Sequence, residues 1–204
     1  KVIEKINNRV GFLPLNEFSL REDLGKDYTV NANWALYCDN YLEGFHIPFV
    51  HEDLNKELDY GDYDTEIYDY FNVQVGYTSD SSIAFDFPKN HVDYGKKIAA
   101  YYFWVFPNMM FNFYPWGLSL NIVIPVSSEE TRVLYRGYVK DAALAEKGAG
   151  SILDTVEIQD QNIIEEVHKS MHSKVYDRGR YSPTREQGVH HFHRIISKIC
   201  EQMF

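Results

Sequence analysis

The sequence predicts an α+β domain in which one helix precedes an antiparallel sheet and two long helices close the chain. Three observations carry this expectation. Residues 65–77 and 99–140 are rich in β-branched and aromatic residues, alternate over long parts and are divided by short polar turns. From about Ser151 to Ser173, the residues Ile152, Val156, Ile163, Ile164 and Val167 form an apolar stripe at helical spacing. Val189, Phe192, Ile196, Ile199 and Met203 form a second stripe at the end of the chain.

Residues 1–26 show no clear periodicity, and Gly11-Phe12-Leu13-Pro14-Leu15 reads as an extended connector laid over the core. Gly25-Lys26-Asp27 reads as a turn, and Tyr28 to Asn33 as a short strand. A helix is expected from about Trp34 through His46, because Trp34, Ala35, Leu36, Tyr41 and Leu42 suit a buried face. Glu52 to Leu58 suits one or two helical turns before a loop at Gly61. Thr65–Tyr77 is expected as one strand; Ala99–Val105, Met110–Tyr114, Ser119–Val126 and Thr131–Lys140 follow as four more. Between them, residues 78–98 form a looser insert with Pro88, Asn90 and Gly95. An Asp/Ala/Gly segment at 141–150 leads into the helix over 151–173. Ser182 suits the N-cap of the last helix, with Pro183 in its first turn.

At 204 residues the chain suits one domain with a proper core. A net charge of -10 argues against a nucleic-acid partner, which needs a basic surface. No apolar run approaches the roughly 20 residues needed to span a bilayer. No signal segment opens the chain, although Lys1-Val2-Ile3 suggests that the natural start lies further upstream. Cys38 and Cys200 offer no disulfide framework, so a reducing cytoplasm is expected. The 16 Tyr and 13 Phe suit either an aromatic-lined cavity or a packed aromatic core.

The densest chemistry lies in Asn40-Tyr41-Leu42-Glu43-Gly44-Phe45-His46-Ile47-Pro48-Phe49-Val50-His51. On one continuous helix His46 and His51 would point about 140° apart. Pro48 breaks that helix and allows both rings to turn to one metal. Two imidazoles and a carboxylate make the facial triad of mononuclear non-haem iron, so one acid must come from elsewhere. On the 151–173 stripe, Asp160 stands where an apolar residue belongs. It is either a ligand or an acid at the water boundary of a slightly rotated stripe. Glu43-x-x-His46 and Glu165-x-x-His168 also match the unit of di-iron helical bundles, but strands lie between them. His190, His191 and His193 suit a solvated helix face.

From Asp39 through His51 the chain resembles the iron-ligand segment of the catalytic domain in the large (alpha) subunit of Rieske non-haem iron oxygenases. That family includes ring-hydroxylating dioxygenases of aromatic hydrocarbon catabolism and the choline and carnitine monooxygenases. Its pattern is an Asn, an acid, a His, four residues, a second His and a distant Asp on a long helix. Asn40, Glu43, His46, His51 and Asp160 stand at those places, and Ser182 to Glu186 with Val189 to His193 are similar to the family's C-terminal helix.

The resemblance implies a helix-grip architecture, a curved antiparallel sheet with a long helix across it. It implies Fe(II) held by His46, His51 and Asp160, with dioxygen and a small organic substrate as partners. Electrons would come from a Rieske [2Fe–2S] cluster on a neighbouring subunit of a homotrimer, fed by a reductase. Glu43 would link the two centres, and Asn40 would steady the local hydrogen bonds. The spacing of Glu43 is similar to the choline and carnitine branch, which leans towards monooxygenation at a C–H bond next to nitrogen and leaves hydroxylation of an aromatic ring as the other expectation. In the family the cluster is bound by Cys-x-His and Cys-x-x-His, which neither Cys38-Asp39-Asn40 nor Cys200-Glu201-Gln202 provides. Residues 1–204 are therefore expected to be either the catalytic domain alone, inactive by itself, with 1–26 leading from a missing cluster domain, or a cluster-less relative; the family's order of domains favours the first. Phe106, Asn108, Met110, Phe111, Asn112, Tyr114 and Trp116 are the pocket candidates, where rings would hold an apolar ring or a quaternary ammonium. The alternative is a metal-free helix-grip module that only binds a lipid or small molecule.

Overall fold

Strict side-chain alternation divides the sheet into two differently covered faces. The computed structural model describes residues 1–51, 63–145 and 153–203. Its strands are β1 (Ser19–Val30), β2 (Asp64–Ile67), β3 (Phe71–Tyr77), β4 (Ile98–Val105), β5 (Met109–Tyr114), β6 (Gly117–Pro125) and β7 (Thr131–Val139). They form one antiparallel sheet in the order β1-β7-β6-β5-β4-β3-β2. The helices are α1 (Val2–Val10), α2 (Trp34–Tyr41), α3 (Ile47–Val50), α4 (Ala142–Ala145), α5 (Leu153–Met171) and α6 (Gln187–Met203). This is the expected α+β, helix-grip arrangement.

On one face Val30, Trp104, Met110, Val123 and Val133 meet Cys38 and Leu42 near α2, Ile164 of α5, and Val189, Phe192 and Ile195 of α6. Trp104 and Phe192 meet edge to face with centroids 5.1 Å apart. On the other face Phe71, Val73, Tyr101, Phe103 and Phe113 pack with Val10 of α1 and with Phe85 and Phe87 of the 78–97 insert. One face thus receives the long helices while the other is sealed by the chain's start and its insert.

Several expectations are corrected. Residues 2–10 are a helix rather than an extended connector: Val2, Ile6 and Val10 recur every four residues and pack on the second core. The Arg9 guanidinium fastens that helix to Glu66 at 2.7 Å and to Asp93 at 3.1 Å. Gly25-Lys26-Asp27 lies inside β1, where a register shift between Arg21 and Lys26 absorbs it without a chain reversal. The single strand over 65–77 is a hairpin: Tyr68 N–H donates to Phe71 O at 2.9 Å, and Asp69 and Tyr70 turn the chain. The last helix begins at Gln187, after a turn in which Glu186 N–H donates to Ser182 O at 3.1 Å. Val167 and Met203 are exposed, so each stripe is shorter than its spacing suggests. The possible turns at 52–58, the loop at Gly61 and all of 146–152 lie outside the described residues.

Gly188 allows α6 to reach the end of α2. A Cβ there would lie 2.5 Å from the Leu42 carbonyl oxygen, which is backbone and cannot swing aside. Gly188→Ala is expected to cost about 1–3 kcal/mol by overpacking, read as a lower urea midpoint. An unchanged midpoint would show that the close approach is dispensable.

Candidate metal centre

Local chain chemistry places both histidines. Asn33 caps α2 by accepting from Ala35 N–H at 3.0 Å. The helix ends at Tyr41, earlier than the expected His46, and Gly44 opens the chain beyond it. Glu43 then holds the next turn, its Oε2 accepting from the N–H groups of Phe45 and of His46, the latter at 3.1 Å. Pro48 sits in the first turn of α3, where it needs no hydrogen-bond donor. It starts a helix here rather than breaking one. His46 precedes that turn and His51 follows it.

The structure brings His46, His51 and Asp160 together, their ligand atoms all within 4.8 Å of one another. Asp160 Oδ1 lies 2.9 Å from His51 Nε2 and 3.4 Å from His46 Nε2. The two rings stand nearly perpendicular with centroids 5.0 Å apart. Each ring is anchored by its other nitrogen: His46 Nδ1 lies 2.5 Å from Glu43 Oε1, and His51 Nδ1 lies 2.8 Å from Gln159 Oε1. Both Nε2 atoms therefore face the acid, the way metal-binding imidazoles are usually held. Asn40 Nδ2 donates to Asp160 Oδ1 at 2.7 Å. Two imidazoles and one carboxylate so placed fit a divalent first-row metal.

The same cluster carries strong electrostatics. Burial opposes charge on His46, but hydrogen bonds to Asp160 and Glu43 outweigh it and push the ring up to about 9. Burial likewise opposes the Asp160 carboxylate, and the two histidines overcome it and push the group down to about 2.

Beside the cluster lies a cavity of about 90 Å³. Asn112 and Tyr114 line it, as do Tyr37, Tyr41, Tyr63, Gln74, Tyr102, Asn121 and Glu157. The other pocket candidates lie elsewhere. Phe106 packs edge to face on Trp104, and Met110 is fully buried in the helix-side core. Asn108 Nδ2 donates to Val123 O at 2.6 Å, Phe111 packs on the opposite sheet face, and Trp116 stacks behind Tyr114. Sequence reasoning missed Gln74 and Asn121, and their signal was a buried polar residue at an inward position of an apolar strand.

The Glu-x-x-His pair does not assemble. Glu165 accepts from Asn31 N–H at 2.9 Å, and His168 Nε2 lies 2.9 Å from Glu129 Oε2. His168, Glu129 and His172 form a second, more exposed group of close ligand atoms. Among the C-terminal histidines, His190 is exposed as expected, but His193 pairs with Asp39 at 2.8 Å. Cys38 is buried and Cys200 exposed, both are free, and neither belongs to a metal-capable group among the described residues. They do not fit a [2Fe–2S] cluster.

The chain belongs to the family described as ring hydroxylating alpha subunit (catalytic domain), matched over residues 18–202. It is 32% identical over 180 residues to the chloroplastic choline monooxygenase of Arabidopsis thaliana, covering 84% of this chain and 40% of that protein. To the carnitine monooxygenase oxygenase subunit of Escherichia coli (strain K12) it is 27% identical over 180 residues, covering 82% and 47%. Among solved structures, a quaternary ammonium Rieske monooxygenase studied for carnitine oxidation shares the fold at TM-score 0.76 and 19% identity, over 96% of this chain and 53% of that one. Naphthalene 1,2-dioxygenase from Rhodococcus sp. shares it at TM-score 0.63 and 14% identity, over 86% and 55%. The chain spans about half the length of the proteins it matches, or less. Among the described residues, no helix is long and apolar enough to cross a membrane.

A pH prediction follows from the raised His46 value. Its unfolded value is about 6.5, so the stability it contributes is full below that pH and is lost as pH rises through about 9. Metal-free chain should lose urea stability between pH 7 and 10, and His46→Gln should flatten that loss. Equal slopes in parent and variant would contradict the Glu43–His46–Asp160 arrangement.

Proposed function

We propose that this chain is the catalytic domain of a mononuclear non-haem iron oxygenase that inserts one oxygen atom at a C–H bond next to nitrogen. The convergence of His46, His51 and Asp160 beside a small aromatic-walled cavity is the observation that supports this reading most. His46, His51 and Asp160 are the residues that would hold Fe(II). Iron so held supplies the activation of dioxygen and the oxidation of the C–H bond. A metal-free binding module has no use for two rings anchored through Nδ1 with both Nε2 atoms on one acid.

The other residues orient, exclude and position. Glu43 and Gln159 hold the rings in place, and Asn40 holds the Asp160 carboxylate. Tyr37, Tyr41, Tyr102 and Tyr114 wall the cavity against water and offer ring faces to a cationic nitrogen. The choline and carnitine relatives favour such a substrate over an arene.

The electron source is proposed to be a Rieske cluster domain outside residues 1–204, in a homotrimer served by a reductase. Glu43 is this chain's proposed contact for it. Its Oε1 is on His46 and its Oε2 is on backbone N–H groups, so it reaches a partner only by sharing one of those oxygens.

Loaded anaerobically, the chain should retain about one Fe(II), and Asp160→Ala should lose it. Given NADH and a reductase but no cluster protein, the loaded chain should form no product; product under those conditions would refute the proposed electron route. In protein that also contains the cluster domain, Glu43→Gln should keep most iron while single-turnover electron transfer falls steeply. Normal transfer in that variant would eliminate Glu43 as the contact.

A further inference from the structure

A second group of ligand atoms lies at the C-terminal end of α5, apart from the cavity and its metal centre. His168 stands in the last turn of α5, and His172 lies just past its end, where the His172 N–H donates to Lys169 O at 3.2 Å. Four residues apart, the two rings share one side of that turn and meet edge to face with centroids 4.8 Å apart. Glu129 reaches them from the turn between β6 and β7. Its Oε2 lies 2.9 Å from His168 Nε2 and 4.0 Å from His172 Nε2. One ligand atom from each of the three residues lies within 4.8 Å of the others. The turn that carries Glu129 is itself held in place. Glu129 N–H donates to Ser127 Oγ at 3.1 Å, Ser127 N–H to Glu130 O at 3.0 Å, and Asn33 Nδ2 to Ser128 O at 3.1 Å.

A surface ion pair between His168 and Glu129 accounts for one ring only. His172 Nδ1 lies 2.9 Å from His168 O, and a carbonyl only accepts, so that nitrogen carries the proton. In the neutral ring Nε2 is then a bare lone pair, and it faces a carboxylate oxygen that is also an acceptor. At 4.0 Å these two atoms are too far apart for a hydrogen bond, and a cation between them would satisfy both. Among the described residues no lysine or arginine pairs with Glu129 to supply it. A backbone carbonyl on Nδ1 is also a common anchor of a metal-binding imidazole.

We propose that His168, His172 and Glu129 form a second metal site, for a divalent late first-row ion such as Zn(II), which clamps the end of α5 to the β6–β7 turn. Zinc bonds of about 2.0–2.1 Å at tetrahedral angles set ligand atoms about 3.3–3.4 Å apart. The separations of 2.9 and 4.0 Å straddle that spacing. Glu129 and His172 are 62% and 61% exposed, so small side-chain rotations close the geometry and the fourth position faces water. Two imidazoles and a carboxylate hold zinc above Fe(II) in affinity. Asp160 lies two helical turns earlier on α5, about 12 Å along the axis, so the two clusters take separate ions.

The full chain, loaded anaerobically with Fe(II) and then dialysed against micromolar Zn(II), tests this beside His172→Ala and Glu129→Gln. Metal is counted by atomic emission, and unfolding is followed on heating. The parent is expected to hold one equivalent of zinc more than His172→Ala, and zinc should raise the parent's Tm more than the variant's. Loss of either ligand should weaken zinc binding by at least the 10–100-fold typical of outer partners. His172 is exposed, so its replacement should leave the fold and the iron content as in the parent. Any zinc that enters the first cluster appears in parent and variant alike and drops out of the difference. Equal zinc content and equal Tm shifts in parent and His172→Ala would overturn the proposal, as would a parent that takes up no zinc. Loss of iron in step with zinc in His172→Ala would overturn the separation of the two sites.

Discussion

The Asp160 carboxylate is the constraint on which the rest of the site depends. It sits on the inward face of α5, 15% exposed, where an unpaired charge would be costly. His51, His46 and Asn40 all converge on its Oδ1. Two parts of the chain more than a hundred residues apart must therefore be held in register. Polar clamps do this work along α5: Asn31 holds Glu165, and Glu129 holds His168. At the far side of α2, the bare backbone of Gly188 lets α6 press against Leu42.

The sheet contributes through its period of two. Trp104, Met110 and Val123 give the helix side of the sheet its dry core. On the same face, Gln74, Tyr102, Asn112, Tyr114 and Asn121 interrupt that core with polar groups and form the cavity wall. Tyr41 OH donates to Asn112 Oδ1 at 2.6 Å, so the wall is tied to the end of α2, one residue after Asn40. Fold and site are thus built from the same alternation, apolar where the helices land and polar where the cavity opens.

Much of this was legible in the residues. The strands over 98–139 lie within about two residues of their expected limits, because alternation and polar turns are local signals. His46 and His51 stood out as a pair around Pro48, whereas Asp160, open to two readings on its stripe, was singled out by the family resemblance. What failed were features set by distant contacts. The helix over 2–10 turns Val2, Ile6 and Val10, but not the exposed Ile3, to the second core and finds its stability in that distant packing. The split of residues 65–77 turns on Asp69 and Tyr70, which β-propensity alone does not reveal. Of the pocket candidates, Asn112 and Tyr114 line the cavity, whereas Phe106, Met110, Phe111 and Trp116 pack into the cores and Asn108 is spent on the Val123 backbone.

The central claim is that residues 46, 51 and 160 bind one metal ion between them. An anomalous difference map at the iron edge, from crystals grown anaerobically with Fe(II), measures this most directly. The account predicts one dominant peak within about 2.0–2.3 Å of His46 Nε2, His51 Nε2 and an Asp160 oxygen, the usual first-row metal distances. Iron found only at Glu129, His168 and His172, or at neither cluster, would contradict it.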